Sequence, residues 1–181
     1  GFAGGRPKPS PVVRLFSFTV PKAKLAVSVH LNDETLSLDE AYGEAFEPGT
    51  IERPATPTAD VPADTVAVPL IKLAWARSGD KGNKANIGII ARRTEYLPFI
   101  WQALTEQAVG GRLAHFIADV NEHSVERFLL PGSNSINFLI HDVLGGGGVA
   151  SIRNDPQAKG YSQLLLACPV PLPATLAEEL A

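Results

Sequence analysis

The chain has 181 residues, a formal net charge of −3, 45% hydrophobic residues and 19% charged ones. That length supports one ordinary core, or one domain with extensions. The charge argues against nucleic-acid binding through a general positive field, and no stretch approaches the ~20 apolar residues of a membrane span. A single cysteine, Cys168, excludes an internal disulfide and a cysteine-based zinc site. The opening residues lack the basic-then-apolar order of a secretory signal, so a reducing, cytoplasmic compartment is expected. The chain contains no Met, so a processed start or a piece of a larger polypeptide is expected.

Residues 1–30 begin G-F-A-G-G-R-P-K-P-S-P and continue V-V-R-L-F-S-F-T-V-P. Val13, Leu15, Phe16 and Phe18 predict a strand over 12–20, which needs a partner to bury it. Residues 31–65 carry Pro48, Pro54, Pro57 and Pro62 among Ala, Thr and Asp. Proline fixes φ and removes donors, so an extended tether is expected there.

Residues 66–181 are expected to form the compact domain. V-A-V-P-L-I-K-L-A-W-A-R predicts one strand with Ile71, Leu73 and Trp75 on a shared face. The loop S-G-D-K-G-N follows, then a strand at N-I-G-I-I-A-R. Thr94 is placed to cap a helix bearing Leu97, Ile100, Trp101, Leu104 and Ala108, with Pro98 in its first turn and Gly110-Gly111 as its stop. Leu113, Phe116, Ile117 and Val120 suggest a short second helix. V-E-R-F-L-L predicts a strand closed by Pro131-Gly132. Ser133 or Asn134 then caps a predicted helix carrying Ile136, Leu139, Ile140, Val143 and Leu144, which ends at Gly145. Strands near 149–153 and 161–169 complete the pattern, joined by N-D-P-Q-A-K-G. The whole reads as α+β, a single mostly antiparallel sheet with helices packed on one face.

Three features could carry chemistry. In Ser78-Gly79-Asp80-Lys81-Gly82-Asn83, two glycines permit close backbone approach, and backbone N–H groups with Lys81 and Arg77 could hold an anion. The alternative is a hairpin turn whose Asp80 and Asn83 satisfy local backbone groups. Gly145-Gly146-Gly147-Gly148 offers either a helix cap with a loose strand entry or bare main chain for a ligand. Asn134, Asn137 and His141 fall at i, i+3 and i+7, so on a helix they share one face, either solvated or binding a carbonyl or carboxylate. Asp80 and His141 are the acid–base candidates, an imidazole being suited to proton transfer near neutrality. His30, His115, His123 and His141 show no ligand-pair spacing, so neither a metal nor a cofactor is expected. Cys168 lies among Leu164, Leu165, Leu166 and Val170 and reads as a buried structural thiol. No G-x-S-x-G occurs, and Ser78, Ser133 and Ser135 have no visible base.

A-R-S-G-D-K-G-N-K-A-N-I-G-I-I-A-R and L-P-G-S-N-S-I-N-F-L-I-H-D-V-L-G-G-G-G resemble the C-terminal domain of the acyclic terpene utilisation (AtuA-like) proteins. The opening G-G-R-P-K-P-S-P-V-V-R-L resembles the tail of that family's larger N-terminal domain. The resemblance covers 1–30 and about 68–168. It implies a ferredoxin-like α+β domain attached to an α/β domain, in bacterial catabolism of acyclic terpenes and branched acyl-CoA thioesters. Arg77, Ser78, Gly79, Asp80, Lys81, Gly82, Asn83 and Asn86 match the first motif. Asn134, Asn137, His141, Asp142, Gly145, Gly146 and Gly147 match the second. Two functions are then open: half of an enzyme site for an acyl-CoA-type ligand, or a non-catalytic domain docking its upstream domain or a second subunit. A homo-oligomer is expected in either case.

Overall fold

The computed structural model describes residues 9, 11, 13, 15–38 and 45–180. The chain divides into two compact units. One spans Phe16–Arg53; the other comprises Gly1–Leu15 and Pro54–Ala181. Part of the Gly/Pro-rich opening lies outside the described residues. The strand expected over 12–20 is not formed at 13 or 15–20.

In the smaller unit, β1 (Val27–Leu31) pairs antiparallel with β2 (Glu34–Leu38). This hairpin falls across the boundary expected at residue 31, so the proline-rich stretch is not extended from its start. Val27, Val29, Leu31, Leu36 and Leu38 share one face and all are exposed. His30 and Thr35 are hydrogen-bonded on the other face at 2.8 Å. Two-stranded hairpins are marginal in water, and this apolar face has no partner among the described residues of its unit. Residues 51–64 form no helix or strand.

In the larger unit the run 66–77 is not one strand. β3 (Thr65–Pro69) is followed by one helical turn, α1 (Leu70–Leu73), and then β4 (Ala74–Lys81). Pro69, unable to donate to a ladder, ends the first strand. Leu73 is therefore buried while Ile71 and Trp75 are exposed. β5 (Lys84–Ala91) returns beside β4 through the two-residue turn Gly82-Asn83. Next come α2 (Leu97–Ala103), with Pro98 in its first turn, and α3 (Glu106–Arg112). These replace the single helix expected through Ala108. Thr105 caps α3 by accepting from the Ala108 amide at 3.1 Å, and Gly110-Gly111 lie inside α3 rather than ending a helix. Residues 113–116 are turns, not a second helix.

The largest departure follows. β6 (Val125–Leu130) turns at Pro131–Asn134 into β7 (Ser135–Ile140), a strand where a helix was expected. S-I-N-F-L-I satisfies both periods. The β-branched and aromatic residues Ile136, Phe138 and Ile140 bury one strand face, and a ladder on each side of β7 decides the outcome. Conversely, α4 (Tyr161–Leu166) is a helix where a strand was expected, because Y-S-Q-L-L-L has no β-branched residue. The segment 149–153 forms no strand. β8 (Pro169–Pro173) pairs antiparallel with β3, and α5 (Ala174–Glu178) follows.

The larger unit is thus α+β as expected. It holds an antiparallel sheet in the order β4-β5-β7-β6, beside a separate β3-β8 ribbon rather than within a single sheet. Ile87, Ile89, Ile136, Phe138 and Ile140 form the inner face, in one buried cluster with Phe99 and Ile100 of α2, Val109 of α3, and Tyr161 and Leu165 of α4. Each such side chain contributes about 1.5–3 kcal/mol by leaving water. Arg127 ties α2 to the sheet. It stacks 3.7 Å from the Trp101 ring centroid, donates to the Trp101 and Leu104 carbonyls, and pairs with Glu106 at 3.3 Å.

Candidate functional site

The two glycine segments meet. Asn83 is the fastener: its main-chain carbonyl accepts from the Val143 and Leu144 amides at 3.1 and 3.3 Å. Its Oδ1 accepts from the Gly146 amide at 2.7 Å, and its Nδ2 donates to Asp142 Oδ1 at 2.9 Å. Gly147 packs directly on the Gly82-Asn83 turn, where a Cβ would collide with the Gly82 carbonyl and the Asn83 nitrogen. Gly147 also holds φ 69, a region costly to any side chain. The hairpin-turn reading therefore describes this loop, but Asn83 bonds partners about 60 residues away rather than local ones.

Ser78 is structural too. Its buried hydroxyl donates to the Ala158 carbonyl at 2.5 Å and accepts from the Ser162 amide at 2.9 Å, which fixes α4 against β4. Asp155 shapes the same segment by accepting from the Lys159 and Gly160 amides at 2.9 and 2.8 Å. Lys81 Nζ donates to the Asp80 carbonyl at 2.9 Å.

The remaining predicted residues divide by strand parity. Asn134, Asn137 and His141 do not share a helix face, because β7 is a strand. Asn134 sits in the turn at φ 51, where its Nδ2 donates to Thr94 Oγ1 at 3.0 Å. Asn137 and His141 project from the outer face, opposite the buried Ile136, Phe138 and Ile140. Asp80 has the parity of Ala74, Ala76 and Ser78 and belongs to the inner face. The two acid–base candidates thus lie on opposite sides of the sheet and form no pair. His141 Nε2 instead meets Glu126 Oε1 at 2.6 Å.

Register gives the outer face its rows. Trp75, Ile90, Ser135 and Leu130 align across the four strands. Arg77, Gly88, Asn137 and Phe128 form the next row, then Gly79, Asn86, Leu139 and Glu126. Trp75, Ile90 and Leu130 are 53%, 47% and 43% exposed, so one edge of the face is apolar. Asn86 donates to Asn137 Oδ1 at 3.0 Å in its centre. The Lys159 ammonium reaches over this face, 3.4 Å from where a Gly79 Cβ would stand.

A profile of the AtuA ferredoxin-like domain matches residues 68–171, more than half of the chain. The chain belongs to that family. Its α+β architecture is the ferredoxin-like domain the resemblance implied. No curated protein and no solved structure matches it.

Within this AtuA ferredoxin-like domain, one hollow lies away from the motif residues. It is a cavity of about 580 Å³ between the start of α3 and Val120–Val125, lined by Thr105, Glu106 and Asn121 among others. A smaller hollow of about 250 Å³ includes His141, Asp142, Asp119 and His123. No group of three His, Cys, Asp or Glu among the described residues is placed to hold a metal ion. No helix among them is long and apolar enough to cross a membrane. Burial pushes the Cys168 thiol and the Tyr161 phenol above their ordinary values. Sequence reasoning missed Lys159 and Glu126. Lys159 lies in a turn-like A-K-G with nothing local to link it to Gly79. Glu126 has the pattern of any solvated strand charge.

Proposed function

We propose that this chain is a docking domain, seated by the open face of its four-stranded sheet on an upstream domain of the same polypeptide or on a second subunit. The whole protein would work in bacterial breakdown of acyclic terpenes or branched acyl-CoA thioesters, the setting that the resemblance implies. The observation that carries the docking reading is the exposed row Trp75–Ile90–Leu130, on a sheet face with no helix over it among the described residues of the larger unit. Trp75 and Ile90 are neighbours in that row and Leu130 lies beyond the buried Ser135; exposed apolar side chains gathered on one face mark interaction sites.

The ligand-holding alternative has less support. The Asn83 carbonyl is spent on the Val143 and Leu144 amides, and its side-chain amide on Asp142 and the Gly146 N–H; Asp80 and His141 face apart. Lysine-directed cross-linking tests the docking reading, since Lys81, Lys84 and Lys159 lie on or beside the outer face. Links from them to another domain or subunit, lost in Trp75→Asp, are expected. Their absence from the wild-type protein in solution would refute the reading.

A further inference from the structure

We infer that the occupant of the open sheet face is a second copy of this chain, related by a two-fold axis that runs along the strands. This rests on the docking reading above and names its partner. The face is complementary to itself under that one rotation.

Such an axis, passing between β5 and β7, preserves strand direction and reverses strand order. It lays β4 of one copy over β6 of the other, and β5 over β7, with every row facing its own equivalent. The apolar row then closes on itself, Trp75 against Leu130. In the next row the Arg77 guanidinium meets the Phe128 ring, a favourable cation–π arrangement. In that same row Asn137 faces Gly88, where only main chain stands in its way. In the third row Lys159, which covers Gly79, meets Glu126.

The charges are separated in the sense this rotation needs. Arg77, Lys81 and Lys159 lie at the β4 edge, with Lys84 next to them on β5, and Asp80 is turned to the inner face. Glu126 lies on β6 at the opposite edge. A rotation about an axis across the strands would instead set β4 over β4 and bring the cations together. Electrostatic complementarity thus selects one register and rejects the other.

The area is sufficient. Four strands spaced about 4.8 Å apart and six to eight residues long at about 3.3 Å each give a face of roughly 400–500 Å² in projection. Side-chain relief enlarges this about one and a half times, so two faces would remove roughly 1,200–1,500 Å² from water, within the range of specific interfaces. Sheets packed face to face with aligned strands are an established way of burying such surfaces.

Charge reversal tests the arrangement. The full chain should sediment as a dimer at tens of micromolar. Lys159→Glu and Glu126→Lys, each made alone, place like charges at two symmetric contacts and should weaken the dimer about ten-fold or more. An equimolar mixture of the two variants restores both contacts and should recover a dimer, as should the double variant. Circular dichroism of each single variant confirms that it is folded. Single variants that dimerise like the wild type, or a mixture that stays monomeric, would overturn the inference. So would a wild-type chain that is monomeric throughout. In that last case, cross-links from the outer face to another domain would leave the docking reading standing; their absence would end both.

Discussion

The Asn83 fastener and the outer sheet face are built from neighbouring residues of the same motif and are opposite in kind. At the fastener the polar atoms find partners within the domain: Asn83 uses its carbonyl, Oδ1 and Nδ2, and Gly147 leaves no space above Gly82. On the outer face Trp75, Ile90 and Leu130 stay half exposed. A polar, glycine-rich motif is therefore not by itself a ligand site. Successive residues of one strand, Ser78 and Arg77, serve the fold and the surface respectively.

This contrast can be broken at either end. The largest effect is expected from Gly147→Ala, which forces a Cβ into main chain at φ 69. It should cost about 3 kcal/mol or more in chemical denaturation. Asn83→Ala removes two side-chain hydrogen bonds and should cost about 2 kcal/mol by the same measurement. On the outer face the effects reverse. Trp75→Asp should abolish association while changing stability by less than about 1 kcal/mol, read by sedimentation and melting.

A smaller, pH-dependent effect sharpens the view of the inner side. Burial raises the Tyr161 phenol above its ordinary value of about 10. The stability tied to the neutral phenol is complete below that value and is lost as pH rises through the folded-state value. The melting temperature should fall more steeply with alkali in the wild type than in Tyr161→Phe. The smallest effect belongs to Asp80→Ala, expected within about 0.5 kcal/mol of wild type and without influence on association.

Much of this was legible in the sequence. N-I-G-I-I-A-R and V-E-R-F-L-L are strands, and Pro98 marks the start of α2. The family motifs single out both Gly82 and Gly147, and the fold brings the two into contact. The face each residue occupies was not legible. S-I-N-F-L-I-H-D-V-L fits both a helical and a strand period, and only pairing with β5 and β6 decides between them. That one choice scattered Asn134, Asn137 and His141 and set Asp80 apart from His141. Lys159 reaches the site around the edge of β4 from 80 residues away, a placement no local pattern encodes.

The central claim is that the outer face is where this domain meets its partner, and hydroxyl-radical footprinting over a range of protein concentrations tests it most directly. Labelling of Trp75, Phe128 and Leu130 should fall as the associated species forms, while the β1-β2 hairpin residues Val29 and Leu36 keep theirs. Protection confined to the hairpin, or an associated species that leaves Trp75 fully labelled, would contradict the account.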